Sequence, residues 1–558
     1  MSPSRKLLVL SFAAAAASAG APCVGWAQDA PPTVEESGAL SPKVLPAAIE
    51  IVPRAPLADK VASPETKPAA RNEKPEKPEK LATPAAETIS KFPPSPTGTP
   101  AEREKWLSGR LDEILSRPAL AAINAGVMVA EMDSGRSLYG KNERALFNPA
   151  SNAKLVTTAA ALGLLGPEFR FKTALYGTVK NGEVQGDLYI RGSGDPSLVS
   201  EDLWRLVADL SGAGVKKVTG NIAIDDGYFD DVRVGPAFDQ KNEDFAFRAP
   251  AGAVSVNYNA CAIHVMPGPK DGTAPRVVVE PASPYFTIVN NAKTTNKVKT
   301  DLTINTREAE GHTEIVIAGN IKRATGEVME HRRVVHPDLY VGWSVHELLV
   351  KRGIKVGGQV VHGTVPAQGA RQLAYHLSPP LGVIVRDVNK TSNNFMAEQL
   401  LKTLGAEKVG KPGTWPKGVQ AVSSFLETIG IAPSAYKLTN GSGLYDADRL
   451  APVQLVELLR HAYRDFRFAA DFVGSLAVAG TDGTIGHRME GSPAERFVRA
   501  KTGTLNGVSC LSGYAGAPGR VPLVFSILMN NVGETATGDA RRAQDAIAET
   551  LVTFLEAK

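Results

Sequence analysis

The sequence predicts a multi-domain α/β protein. One antiparallel sheet flanked by helices is built from both ends of the folded region, with β-rich modules inserted between them. Three observations predict this. A hairpin pattern near residue 130 is answered by three strand patterns after residue 497. An Ala/Leu-rich helical pattern near residue 155 resumes only after residue 377. The stretch between, 165–376, changes texture to short β-rich runs separated by turns.

The elements follow in order. Residues 1–27 have a positive start (Arg5, Lys6), an apolar run from Leu7 to Ala21 and a small-x-small site at Gly25-Trp26-Ala27. That pattern is a secretory signal peptide, and it predicts an oxidising, periplasmic destination. Residues 31–100 hold 15 of the 39 prolines. Residues 28–98 are therefore expected to be a disordered, partly extended tether, too poor in apolar area to offset chain entropy. The folded part starts near residue 99. AEREKWLSGRLDEILSR (101–117) is an amphipathic helix with Trp106, Leu107, Leu111, Ile114 and Leu115 on one face, stopped by Pro118. AGVMVAEMDSGRSLYG is a hairpin turning at Asp133-Ser134-Gly135. PASNAKLVTTAAALGLLG is a helix whose first turn holds Ser151 and which Gly166 ends. In 165–376 one helix, near 338–353, interrupts the β runs. LGVIVRDVNKTSNNFMAEQLLKTLG reads as two helical pieces broken at TSNN. A helix over 451–465, three strands (RFVRAKTG, VSCLSGYAGAP, RVPLVFSILMNN) and a helix over 538–557 complete the chain. The expected division is a discontinuous unit of 99–164 with 377–558, and inserted β-rich domains over 165–376.

Composition excludes some functions. A net charge of +4 over 558 residues provides no broad basic field, so no nucleic-acid partner is expected. After removal of the leader only Cys261 and Cys510 remain. They lack CxxC spacing, and their pairing is not legible. His346-Glu347 has no second histidine at zinc-protease spacing, and there is no P-loop and no GxSxG elbow. No metal and no cofactor are expected.

Three short motifs remain: Ser151-Asn152-Ala153-Lys154, Ser392-Asn393-Asn394 and Lys501-Thr502-Gly503. Each alone is weak, and Ser434–Lys437 and Ser255–Asn257 are chance copies of the first two. Context separates them: the first opens a helix, the second sits at a helix break, the third lies on a strand. A serine hydroxyl needs a base to become a nucleophile. Lys154 is one helical turn from Ser151, so the two side chains share a face. To accept a proton Lys154 must be neutral, and burial together with the charge of Lys501 would lower its pKa. A helix N-terminus also favours negative charge at Ser151.

SxxK, SxN and KTG in this order resemble the penicillin-recognising serine enzymes. About 240 residues separate the first two motifs, which is similar to the D-alanyl-D-alanine carboxypeptidase/endopeptidase family (peptidase family S13, the penicillin-binding protein 4 type). LYIRGSGDPSL (188–198), NGSGLYDADRLAP (440–452) and AGTDGTIGHRM (479–489) add to the likeness, which spans about 101–558. SNN departs mildly from the more frequent SDN. The resemblance implies a β-lactamase/transpeptidase-like fold with extra domains. It implies a peptidase acting on peptidoglycan pentapeptides or cross-linked peptides, and covalent inhibition by β-lactams. By the same resemblance Ser392 relays a proton to the leaving amine, and Asn394 bonds the substrate amide or Lys154. Lys501 and Thr502 bind a carboxylate, Gly503 lets the strand pack close to the ligand, and the N–H groups of Ser151 and Thr504 form the oxyanion hole. Asp239 and Arg449 correspond by position to residues shaping a diaminopimelate pocket, while Arg488 reads as structural. Two alternatives stay open: a β-lactamase of the same fold, and a non-catalytic wall-binding protein. Peripheral association with cell wall or membrane through the tether is left open too.

Overall fold

The computed structural model describes residues 94–557, apart from residue 242. The expected leader and nearly all of the tether lie outside these residues. The sheet that carries the Lys501-Thr502-Gly503 motif has six antiparallel strands: Ala477–Val478, Val498–Leu505, Val508–Ala515, Leu523–Asn530, Asn124–Glu131 and Ser137–Lys141, in that order. Asn124–Glu131 pairs along its whole length with Leu523–Asn530. Alternate residues of each strand feed opposite layers. Val127, Val129 and Phe525 face one core, Met128, Ala130 and Val524 the other.

The described residues contain helices α1 (Pro100–Leu115), α2 (Ala153–Leu165), α3 (Ser200–Gly212), α4 (Pro337–Lys351), α5 (Leu381–Thr391), α6 (Asn394–Leu404), α7 (Trp415–Thr428), α8 (Pro452–Arg464), α9 (Ala469–Ser475) and α10 (Thr537–Glu556). α1 and α10 cover the first face of the sheet, and α2 and α5 to α8 fill the layer on the other. α1 is set by a capping box. Thr99 Oγ1 accepts from Glu102 N, and the Glu102 carboxylate accepts from Thr99 N. Of its predicted face, Leu107, Leu111, Ile114 and Leu115 are buried and Trp106 packs partly against them. The helix stops two residues early because Ser116 caps it and Pro118 starts a 3₁₀ turn.

Between residues 165 and 376 a seven-stranded mixed sheet includes Lys172–Lys180, Glu183–Gly192 and Arg371–Leu377, and α3 and α4 pack with it around one core. A four-stranded and a three-stranded sheet enclose a smaller core containing Cys261, Ile263, Ile315 and Ile317. This stretch is less purely β than its texture suggests. α3 is a second helix there, with Leu203, Leu206, Val207 and Leu210 buried at helical spacing, and several of the strand pairs are parallel. α7 and α9 were also not expected. Cys261 and Cys510 are buried in different cores, and both are free thiols, which burial pushes up to about 12.

Candidate active site

The nucleophile candidate sits on an anchored turn. Asn148 N donates to Asn530 Oδ1 at 2.8 Å, and Asn530 Nδ2 returns a bond to Asn148 O at 3.0 Å. Asn148 Oδ1 accepts from Ala150 N, and Ala150 takes a left-handed φ of 45°. Ser151 lies in the 3₁₀ turn Ala150–Asn152 that leads into α2, not in the α-helix itself. Lys154, on the first turn of α2, is completely buried. Its Nζ is 2.8 Å from Ser151 Oγ, 2.6 Å from Asn394 Oδ1 and 2.8 Å from the Ser442 carbonyl.

Ser392 stands at the break between α5 and α6 with φ 61° and ψ 34°. The break follows from local chemistry: Asn393 Oδ1 accepts from Met396 N and caps α6. Asn394 then starts α6, and its Nδ2 donates to the Phe247 carbonyl at 3.0 Å, so a segment from the middle of the chain reaches the cluster. Lys501, also completely buried, lies on the strand Val498–Leu505 with Nζ 2.8 Å from Ser392 Oγ and 2.9 Å from Thr502 O. Thr502 Oγ1 donates to Thr484 Oγ1 at 2.7 Å. Thr504 is exposed on the same strand. Ala477–Val478 pairs this strand only at Arg499 and Ala500, and beyond Ala500 the turn bearing Ser151 packs against it. Gly503 is the reason it can. A Cβ there would lie 2.7 Å from Pro149 O and 3.1 Å from Ala150 Cβ. The closeness that Gly503 permits here is to the turn bearing Ser151.

Burial lowers Lys154 to about 7, against the pull of the Glu398 and Asp448 carboxylates in the other direction. Lys501 is held well below its ordinary value, first by burial and then by the charge of Lys154. Burial, the first cause expected for Lys154, is the larger one at both amines, and the repulsion between the two is felt at Lys501. A neutral Lys154 beside a hydroxyl at a helix N-terminus has the geometry of a base and its nucleophile.

The chance motifs do not join this cluster. Ser434 lies in a separate 3₁₀ turn, Pro433–Ala435, and Ser255 Oγ donates to Gly252 O. Asp239 is exposed on a short turn. Arg449 pairs with Asp446 at 2.7 Å, and Arg488 with Asp545 at 2.7 Å. Motif spacing missed Ser442, Glu398 and Thr484. Ser442 contributes a main-chain carbonyl, which leaves no side-chain signature. Its segment NGSGL and the segment TDGTIG holding Thr484 were visible only as glycine-rich likenesses.

Comparison with known proteins identifies the family. The family model described as D-Ala-D-Ala carboxypeptidase 3 (S13) matches residues 107–551. A D-alanyl-D-alanine carboxypeptidase of Actinomadura sp. (strain R39) is 35% identical over 459 residues, covering 80% of this chain and 84% of that protein. The crystal structure of penicillin binding protein 4 (dacB) from Haemophilus influenzae superposes with a TM-score of 0.71 at 25% identity, covering 80% of this chain and 99% of that one. The same protein complexed with a β-lactam superposes at 0.67. A match running from α1 into α10 takes in every residue of the serine–lysine cluster, and with it the chain belongs to the D-Ala-D-Ala carboxypeptidase 3 (S13) family.

Proposed function

We propose that the protein is a serine-type D-Ala-D-Ala carboxypeptidase, or DD-endopeptidase, that works on peptidoglycan stem peptides through an acyl-enzyme at Ser151. One observation carries this: two wholly buried lysines, from sequence-distant segments, each sit 2.8 Å from a different serine hydroxyl. Neutral Lys154 takes the Ser151 proton as Oγ attacks the carbonyl of the penultimate D-Ala. The N–H groups of Ser151 and Thr504 receive the developing oxyanion. The C–N bond breaks, and the leaving amine is protonated through Ser392. Water then hydrolyses the ester and Ser151 is restored. Lys501 and Thr502 hold the substrate's terminal carboxylate, whose charge favours the ammonium form of Lys501. Asn394 orients Lys154 and the substrate amide.

In this reading residues 99–164 and 377–558 form one catalytic domain, and 165–376 are inserted domains. The leader 1–27 directs the chain to the periplasm and is removed, and 28–98 form a tether that can reach cell wall or membrane surface. The test is intact mass after mixing the purified protein with benzylpenicillin, with peptide mapping of the adduct. A persistent one-to-one adduct on Ser151 is expected, absent in Ser151→Ala. Release of D-Ala from a pentapeptide should fall by about 10³-fold or more in that variant. Rapid turnover of nitrocefin instead would make it a β-lactamase, and activity unchanged in Ser151→Ala would remove the mechanism.

A further inference from the structure

Glu398 lies one helical turn after Asn394 on α6 and is buried. Helical spacing puts the two on one face. Its carboxylate accepts from three donors: Trp415 Nε1 at 2.7 Å, Gly441 N at 3.1 Å and Ser442 N at 2.9 Å. Both oxygens accept and neither donates, the pattern of an ionised group. The peptide it grips is held from the other side as well. The Gly441 carbonyl accepts from Thr157 Oγ1 on α2 at 2.8 Å, and the Ser442 carbonyl faces Lys154 Nζ at 2.8 Å. Two consecutive residues, Gly441 and Ser442, therefore turn their N–H groups toward Glu398 and their C=O groups toward α2. The 441–442 peptide runs from Glu398 to Thr157, and the Ser442 carbonyl on Lys154 belongs to the next peptide, whose Gly443 N–H donates to Asn440 Oδ1 at 2.8 Å. Gly441 and Gly443 make the fit possible. A Cβ on Gly441 would lie 2.7 Å from Ala397 O, and on Gly443 would run into the Ala150 carbonyl, next to Ser151.

We propose that Glu398 is a positioning residue of this active site: it clamps Gly441–Ser442 so that the Ser442 carbonyl is held on Lys154 Nζ, and its charge decides how firmly Lys154 keeps its proton. The proposal rests on the reading of Ser151 and Lys154 as nucleophile and base. The titratable groups facing Lys154 are Glu398 from α6, Asp448 from the loop before α8, which burial raises to about 7, and Lys501 from the strand Val498–Leu505, which burial lowers. Lys402, one further turn along α6, is engaged elsewhere, by Asp230. Of the two carboxylates, Glu398 is the one hydrogen-bonded to Ser442, the residue whose carbonyl Lys154 touches. Its negative charge raises the affinity of Lys154 for a proton, in the direction opposite to burial. Removing that charge must therefore release the proton at lower pH.

The experiment is the pH dependence of Ser151 acylation by benzylpenicillin, read by intact mass, for the full chain and two variants. Glu398→Gln removes the charge. Its acid limb is expected to move to lower pH by about half to one unit. The plateau rate is expected to fall by about tenfold, because one amide nitrogen now faces an N–H donor. Glu398→Asp keeps the charge on a shorter stem. Its limb is expected to stay with the wild type while its plateau falls. A purely structural acid would lower the unfolding temperature of both variants and leave both limbs where they are. Superimposable limbs for wild type and Glu398→Gln overturn the electrostatic role, and a wild-type plateau in Glu398→Asp overturns the clamp. Where Glu398→Gln fails to unfold cooperatively, the plateau of Glu398→Asp decides the clamp. No adduct at all on wild-type Ser151 removes the nucleophile assignment and this proposal together. A wild-type adduct with an unmoved limb removes only the role of Glu398.

Discussion

Lys154 has no exposed surface, and below pH about 7 it is an ammonium ion inside the protein. In that form it cannot take the Ser151 proton. As pH rises through about 7 the neutral fraction grows, so acylation by benzylpenicillin should climb across that range. Adduct formation timed between about pH 5.5 and 8.5 checks this, and a flat profile would contradict it. At this scale much was legible. The order of SxxK, SxN and KTG pointed to Ser151, Lys154, Ser392, Asn394 and Lys501, and the fold brings their side chains together. What was not legible was their support. Ser442 acts through a carbonyl. Glu398 sits in an ordinary helical pattern, where a glutamate looks like a solvated face until burial reveals otherwise.

α6 is the element on which separate parts of the molecule converge. Asn394, Glu398 and Lys402 recur every four residues, and their partners are Lys154, the 441–442 peptide and Asp230. Lys402 is wholly buried, 4.3 Å from the Trp415 ring and 5.1 Å from Phe229, and burial lowers it to about 8. Its contacts predict an ordering of variants. Lys402→Met keeps the volume between the rings, and Asp230, partly exposed, can hydrate. A cost of about 1–2 kcal/mol is expected, against about 3–5 kcal/mol for Lys402→Ala, which adds a cavity to the lost pair. Urea unfolding of the two variants measures the difference, and equal costs would mean that the pair, not the packing, holds this junction. The helices that sequence pattern missed are instructive. α7 begins KPGTWPKG, and its prolines and glycines read as loop, although Trp415 and Pro416 open it with Thr414 as cap. α3 carried a clean amphipathic pattern that the β-rich runs around it overshadowed.

Over the whole molecule the six-stranded sheet is sealed on one side by α1 and α10. Ile547, Leu551 and Val552 of α10 are fully buried there against residues such as Phe525 and Ile527. Deleting residues 537–558 would uncover that face, so the shortened chain should show no cooperative unfolding and form no benzylpenicillin adduct. A folded, acylable product would contradict this architecture. The union of chain ends was readable from the matching textures at the two extremes. The parallel pairings of the middle sheet were not, because register between short strands leaves little trace in sequence. That union also has a consequence in time. Asn148, three residues before Ser151, is anchored by Asn530 across 382 residues of chain. Closing so long a loop is slow and can begin only when the distal strand exists. A chain still on the ribosome, its last strands not yet made, therefore carries Ser151 on an unanchored turn and has no strand to supply Lys501. The hydrolase can switch on only after its synthesis is essentially finished, a safeguard made of connectivity alone.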